Sequence, residues 1–373
     1  MNLTGPNTVT VGTATRQTAP VRLDLLQALR AVAALMVVVH HLRHELGALG
    51  LASGGAPLLP WWAGVDVFFV ISGFIMVHAT GPAYDRPGGR ARFLAHRIAR
   101  VVPLYWLVTL LFLGVALAVP RVLVDAGAAS DPATVAASFL FWPMARPDGS
   151  VQPLFGLGWT LNYEMFFYAV FALGLGRGRA RTVAWTATLF ALLILAGAAF
   201  RLPTPLAFWS DPIVLEFLLG AALGLAHGGG LRLGAGARLA LGLAGIAGFA
   251  AFASIEPAGL ARPLLAGLPA AMLVAAAALG RTGAQPPLHP LVLLGDASYA
   301  LYLVHPFALR AVREAASRLG LAPYLGGIGI GALMLGGSAA AAILIYRLVE
   351  RPLTRRLRGL LDRTGPATRA KTV

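Results

Sequence analysis

Residues 23–42 read Leu23-Asp-Leu-Leu-Gln27-Ala-Leu-Arg30-Ala-Val-Ala-Ala-Leu-Met-Val-Val-Val-His40-His41-Leu42. An apolar run of about 20 residues crosses the hydrocarbon layer as a helix, yet this one carries a guanidinium and two imidazoles. A charged side chain at mid-bilayer costs at least ~2.5 kcal/mol, so such groups need partners or a function. At 100° per residue, the helix turns roughly 1100° between Arg30 and His41, about 20° beyond whole turns. The two side chains therefore share one stripe, about 16 Å apart along the axis, while His40 points roughly 80° away.

The rest of the chain extends this pattern. Of 373 residues, 58% are hydrophobic and 12% charged, and the mean hydropathy is +0.74. A soluble domain carries roughly 25% charged residues, so an ordinary cytosolic globule and a disordered chain are both excluded. The reading is an all-α, polytopic membrane protein with about ten transmembrane helices. They lie near 23–42, 61–80, 101–119, 157–176, 183–200, 209–226, 233–253, 259–279, 291–310 and 325–348. With the amino terminus inside, 21 basic residues fall on the cytoplasmic side and 8 outside, Arg30 lying within a span. That split favours an even count with both termini cytoplasmic. The same distribution explains the +15 formal charge as a topology signal and argues against nucleic acid as a partner. Residues 1–20 are polar, lack the build of a cleavable signal and are expected to be a disordered cytosolic segment. The membrane domain is expected over 21–353, with a basic cytosolic tail over 354–373.

Ionisable groups in other spans fall at similar depth. Counted from the span ends, Asp66, Glu164, Glu216 and His305 all lie within roughly 3–10 Å of the outer boundary, as His41 does. A shared layer suggests one water-accessible cavity. Each member also has a plainer reading: His305 as an interhelical hydrogen-bond tie, Asp66 and Glu216 as neutralisers of arginine or caps of a loop. On the other side, Arg97 and Arg100 are i, i+3 neighbours on one helix face. Together with Arg30 they could line a mouth suited to phosphates, or simply anchor the chain at the membrane surface.

Several chemistries are excluded. With no cysteine there is no disulfide, thiolate metal site or cysteine acyl-enzyme. The sequence has no Gly-x-Ser-x-Gly elbow, and no Walker loop, dinucleotide fingerprint or His-Glu-x-x-His zinc helix. No metal is expected. A basic mouth joined along one helix face to an outward-facing imidazole suits a phosphate-bearing donor and an acceptor hydroxyl activated by a histidine base.

The ordered motifs resemble those of the membrane-bound acyltransferase 3 family. They are Leu-Arg30 through His-His41, Gly-Val-Asp66-Val-Phe-Phe-Val-Ile-Ser72-Gly73-Phe, Arg97-Ile-Ala-Arg100-Val-Val-Pro103-Leu-Tyr105-Trp and Gly-Trp159-Thr-Leu-Asn-Tyr-Glu164-Met-Phe-Phe-Tyr168. Glu216-Phe-Leu-Leu-Gly220, Gly-Asp-Ala-Ser298-Tyr299-Ala-Leu-Tyr302-Leu-Val-His305-Pro and Val-Glu350-Arg351-Pro352 follow. The Gln27-containing opening and the block around Glu164 look most like the bacterial exopolysaccharide O-acetyltransferase branch. The resemblance implies a ten-helix enzyme of the bacterial cytoplasmic (inner) membrane. It would move an acyl group, usually acetyl from acetyl-CoA, onto a hydroxyl of an extracytoplasmic glycan. The family's arginine–histidine signature falls on Arg30 and His41, and its acidic motif on Glu164. Many relatives carry an extra esterase-like domain, which is not expected here.

The expected site then has His41 as base, oriented by Glu164 or Asp66, with Arg30, Arg97 and Arg100 binding the acyl-CoA donor. His305, Glu216, Tyr168 and Ser72 support it. Transfer through an acyl-histidine is a variant. The alternative is a glycolipid or polysaccharide transporter or flippase that uses the same buried charges for proton coupling. The absence of an internal repeat counts against it.

Overall fold

The computed structural model describes residues 23–51, 57–84, 88–118, 131–146, 148–280 and 289–364. The segments 1–20 and 365–373, with Arg86, Arg121 and Arg281, lie outside them. The described residues are helical throughout, apart from turns and a single bridge between Leu233 and Gly280.

Helix α1 (Asp24–Ala48) carries the Arg30–His41 stripe and buries Ala31, Ala34, Val37, Val38 and Leu42 against the core. Helix α2 (Gly64–Thr80) returns beside it, and α3 (Gly89–Ala118) leads out again. Helix α3 starts well before the expected span, because its basic first turns continue the same helix and Pro103 is accommodated inside it. A short helix α4 (Pro132–Phe139) follows, capped by Asp131, whose carboxylate accepts from the Ala133 and Thr134 amides at 3.2 and 3.0 Å. The Thr134 hydroxyl and amide bonds pull the Asp131 carboxyl below its usual range.

Helices α5 (Trp159–Gly174), α6 (Arg179–Ala199), α7 (Thr204–Trp209) and α8 (Leu215–Gly228) come next. Helix α8 crosses α2 at backbone distance: a Cβ on Gly220 would overlap the Val70 carbonyl oxygen, and one on Gly73 the Phe217 carbonyl oxygen. Small residues of this kind let helices pack closely in lipid.

After α9 (Ala235–Ala251) and α10 (Leu268–Ala278), the expected ninth span is broken. Helix α11 (His289–Asp296) and helix α12 (Ser298–Arg318) are bent by 78° about Ala297. The break has a packing cause, since Gly295 sits against the Gln27 backbone of α1, where no Cβ would fit. Helix α13 (Ala322–Ile345) kinks at Gly326 (φ 59°) and passes through a π turn (Tyr346–Glu350) into α14 (Arg351–Thr364). The basic tail is thus helical as far as Thr364. Helix α14 lies along the start of α3, where Asp362 meets Arg92 and His96 at 2.9 Å each.

The chain is a membrane protein. Five helices are each long and apolar enough to cross a bilayer, six if the bent pair counts as one, and three shorter apolar helices accompany them. Their ends define two faces. Arg90 donates to the Leu175 carbonyl at 2.8 Å and Arg238 to that of Ala276 at 2.7 Å, on the face where α1 begins. This is called the basic face below. On the far face Glu45 meets Arg310 and Arg313 at 3.2 and 2.7 Å.

Candidate active site

The Arg30–His41 stripe borders two different cavities. The one nearer the basic face has a volume of about 230 Å³ and is lined by Gln27, Arg30, Arg97, Arg100, Glu164 and Tyr168, among others. Arg30 donates to Ser298 Oγ at 2.9 Å and to Gln27 Oε1 at 3.4 Å, so the bend at Ala297 delivers the hydroxyl that holds it. Arg97 lies over the rings of Phe93 and Tyr168, at 5.4 and 5.9 Å. Its Nε is buried with no hydrogen-bond partner among the described residues. Such an orphaned donor is costly unless something else satisfies it. Three guanidiniums and one carboxylate line this cavity, which fits an anionic group.

Glu164 faces this cavity. It accepts from Ser72 Oγ at 3.1 Å and from the Tyr168 hydroxyl, which gives those two supporting residues a shared partner. Glu350, quoted in a motif but given no role from sequence, is the unforeseen member here. It is buried at the π turn, within electrostatic range of Arg30 and Arg100, and its Oε2 has no hydrogen-bond partner among the described residues. Its signal was the carboxylate at the end of an apolar run.

His41 borders a second cavity of about 530 Å³ with Glu45, Phe155, Trp159, Phe307 and Arg310. Its Nδ1 lies 2.9 Å from the Val37 carbonyl oxygen and 3.4 Å from His305 Nε2. His305 is fully buried, with Nδ1 3.1 Å from the Leu301 carbonyl. A carbonyl only accepts, so each Nδ1 carries the proton. His305 Nε2 is then an acceptor toward the Nδ1–H of His41, and His41 Nε2 keeps a lone pair available for a proton.

Tyr302 links the walls of the two cavities. It lines the first; its hydroxyl meets Thr160 Oγ1 at 2.9 Å and donates to the Leu157 carbonyl at 3.0 Å. Leu157 lines the second.

The expected single layer is therefore divided among three neighbourhoods. Neither Glu164 nor Asp66 borders the His41 cavity, and the imidazole partner of His41 is His305 instead. Asp66 is fully buried and holds Arg262 with two prongs, at 2.9 and 3.2 Å. Glu216 is fully buried beside this pair, within electrostatic range of both members. Arg262, near the start of the expected 259–279 span and given no role from sequence, reaches Asp66 because a buried carboxylate left alone would be strongly unfavourable.

These features define a helical membrane protein with a guanidinium-lined cavity and a histidine pair on one helix stripe. Residues 23–347 match the family model described as an acyltransferase domain, and the chain belongs to that family. It is an O-acyltransferase, which removes the transporter alternative. Among curated proteins it is similar to exopolysaccharide production protein ExoZ of Rhizobium meliloti (strain 1021), 36% identical over 83% of this chain and 94% of that protein. It is also similar to acyltransferase MdmB of Streptomyces mycarofaciens, 30% identical over 94% and 95% of the two chains. Protein 2 in the picA locus of Rhizobium radiobacter is 28% identical, over 49% of this chain and 98% of that one. No solved structure matches.

Proposed function

We propose that this protein transfers an acyl group, acetyl in the first instance, from acyl-CoA to a hydroxyl of an extracytoplasmic glycan such as exopolysaccharide. Ten spans with both termini cytoplasmic would set the basic face inside and the His41 cavity outside the bacterial cytoplasmic membrane. The observation that carries the reading is the pair of cavities bordered by a single helix stripe, one lined by three arginines and the other bordered by His41. The exopolysaccharide-related relative favours a glycan acceptor.

The phosphates of the donor are assigned to Arg97 and Arg100, with Arg30 along the path. Passage of the acyl thioester to the outer cavity requires the Tyr302 side chain to yield. His41 Nε2 then accepts the proton of the attacking hydroxyl. The new ester bond forms as the carbon–sulfur bond breaks, and the departing thiolate takes up a proton to leave as free CoA. The Val37 carbonyl and His305 together hold His41 in the tautomer that keeps Nε2 unprotonated. Glu164 is assigned to the donor cavity, where its carboxylate moderates the charge of three arginines, and Asp66 to the fixing of Arg262. Glu216 supports that second pair. Replacing His41 with alanine in purified protein and following acetyl transfer to glycan tests the assignment. Loss of at least 100-fold is expected, and activity within a few-fold of wild type would remove His41 from the mechanism.

A further inference from the structure

A third cavity opens on the far face, over Arg262. It measures about 370 Å³ and is lined by Trp159, Tyr163, Asp211, Glu256 and Arg262, with small loop residues between them. That volume falls within the range of about 300–1,000 Å³ seen for small-molecule sites. Its walls combine flat aromatic surface with fixed polar groups. The rings of Trp159 and Tyr163 meet at 88° with centroids 5.9 Å apart, forming a corner. Arg262 cannot swing freely, because Asp66 grips it from below and its guanidinium lies 5.4 and 5.9 Å from the Trp62 and Trp159 rings. Asp211 is fixed as well, since its Oδ1 accepts from the Ile213 amide at 2.8 Å. Glu256 is exposed on the loop between α9 and α10, within electrostatic range of Arg262.

We propose that this cavity is a subsite for a neutral pyranose unit of the acceptor glycan, separate from the cavity where the hydroxyl reacts. The inference rests on the glycan-acceptor reading above and names where that acceptor is held. Charge decides the ligand class. Two carboxylates beside one arginine already neutralised by Asp66 disfavour an anion such as a phosphate or a nucleotide, which the cavity at the basic face suits far better. A sugar ring offers apolar C–H faces for an aromatic wall and hydroxyls that donate to carboxylates and accept from a guanidinium. Continuity supplies the rest. Trp159 borders this cavity and the His41 cavity alike, so a ring seated against it leaves the adjoining sugar of the chain beside the imidazole. The arrangement also gives the Asp66–Arg262 pair a purpose, since a buried ion pair is weak support for stability by itself.

The test uses full-length purified protein, acetyl-CoA and deacylated exopolysaccharide oligosaccharides from the producing cells, comparing wild type with Glu256→Gln and Trp159→Leu. Glu256→Gln changes an exposed side chain and leaves the fold intact. It is expected to raise KM for the oligosaccharide about 3- to 10-fold, with kcat and the KM for acetyl-CoA within twofold of wild type. Trp159→Leu is expected to raise the oligosaccharide KM further. An active wild type with both oligosaccharide KM values unchanged in the variants would overturn the subsite alone. A wild type that transfers no acetyl group to the oligosaccharides would overturn the glycan reading with it.

Discussion

The two ends of α1 carry comparable chemistry in contrasting surroundings. Around Arg30 the partners are polar and numerous: Gln27, Ser298, Arg97, Arg100 and Glu164 share the cavity with it. Around His41 the walls are largely aromatic and aliphatic, and its ring meets those of His305 and His40 at 5.0 and 5.1 Å. Anion binding needs several donors converging on one point, whereas a general base needs one unprotonated nitrogen in a confined place. The contrast teaches why the proposed function divides the stripe by task, assigning recognition to one end and proton transfer to the other.

That division can be broken at either end, with different kinetic signatures. The largest effect is expected for His41→Ala. Removal of a general base lowers rates by about 10²–10⁴-fold, so kcat should collapse while equilibrium binding of acyl-CoA stays within twofold of wild type. Arg97→Ala and Arg100→Ala should do the reverse. Each loses a charge-assisted contact worth about 1.5–3 kcal/mol, which corresponds to a rise of roughly 10- to 100-fold in KM for acyl-CoA with a smaller change in kcat.

His305→Phe sharpens the comparison, because it spares the base and removes one of the two acceptors facing its Nδ1–H, leaving the Val37 carbonyl. A fall in kcat of about 10-fold with unchanged KM values is expected, and His305→Gln should recover part of the loss because its amide oxygen can accept. Steady-state kinetics on both variants checks this. Tyr302→Phe probes the boundary itself. Loss of both hydroxyl contacts should loosen the partition, and the expected outcome is a two- to five-fold rise in CoA released by acyl-CoA hydrolysis without glycan. The smallest effect belongs to Asp362→Asn. It weakens exposed contacts between α14 and α3 that are worth up to about 1 kcal/mol, so melting of the detergent-solubilised protein should shift by only a few degrees.

Much of this was legible from sequence, and the exceptions share a cause. Hydropathy located apolar helices because bilayer thickness fixes their length, although five or six, not ten, are long and apolar enough to cross by themselves. Helical periodicity put Arg30 and His41 on one stripe because that relation depends only on the angle per residue. Helix α4 was not expected from sequence, although its start carries a capping Asp131 followed by Pro132 at the first helical position. The bend at Ala297 was hidden, since Gly295-Asp-Ala-Ser298 interrupts an apolar run only briefly and the contact with Gln27 is remote in sequence. For the site, counting residues from a span end gives depth and nothing about azimuth or partner. Asp66 and Glu164, expected in one layer, thus turn to different partners, one to Arg262 and the other to Ser72 and Tyr168.

Sidedness provides the most direct test of the division along α1. Purified protein is placed in sealed liposomes with deacylated glycan trapped in the lumen or left outside, and labelled acetyl-CoA, which does not cross the bilayer, is added outside. Label should accumulate on luminal glycan through those molecules whose basic face is outward, while external glycan in the same vesicles stays unlabelled. Labelling of external glycan with none in the lumen would show that donor and acceptor meet on one side, and would contradict a stripe that joins two opposite cavities.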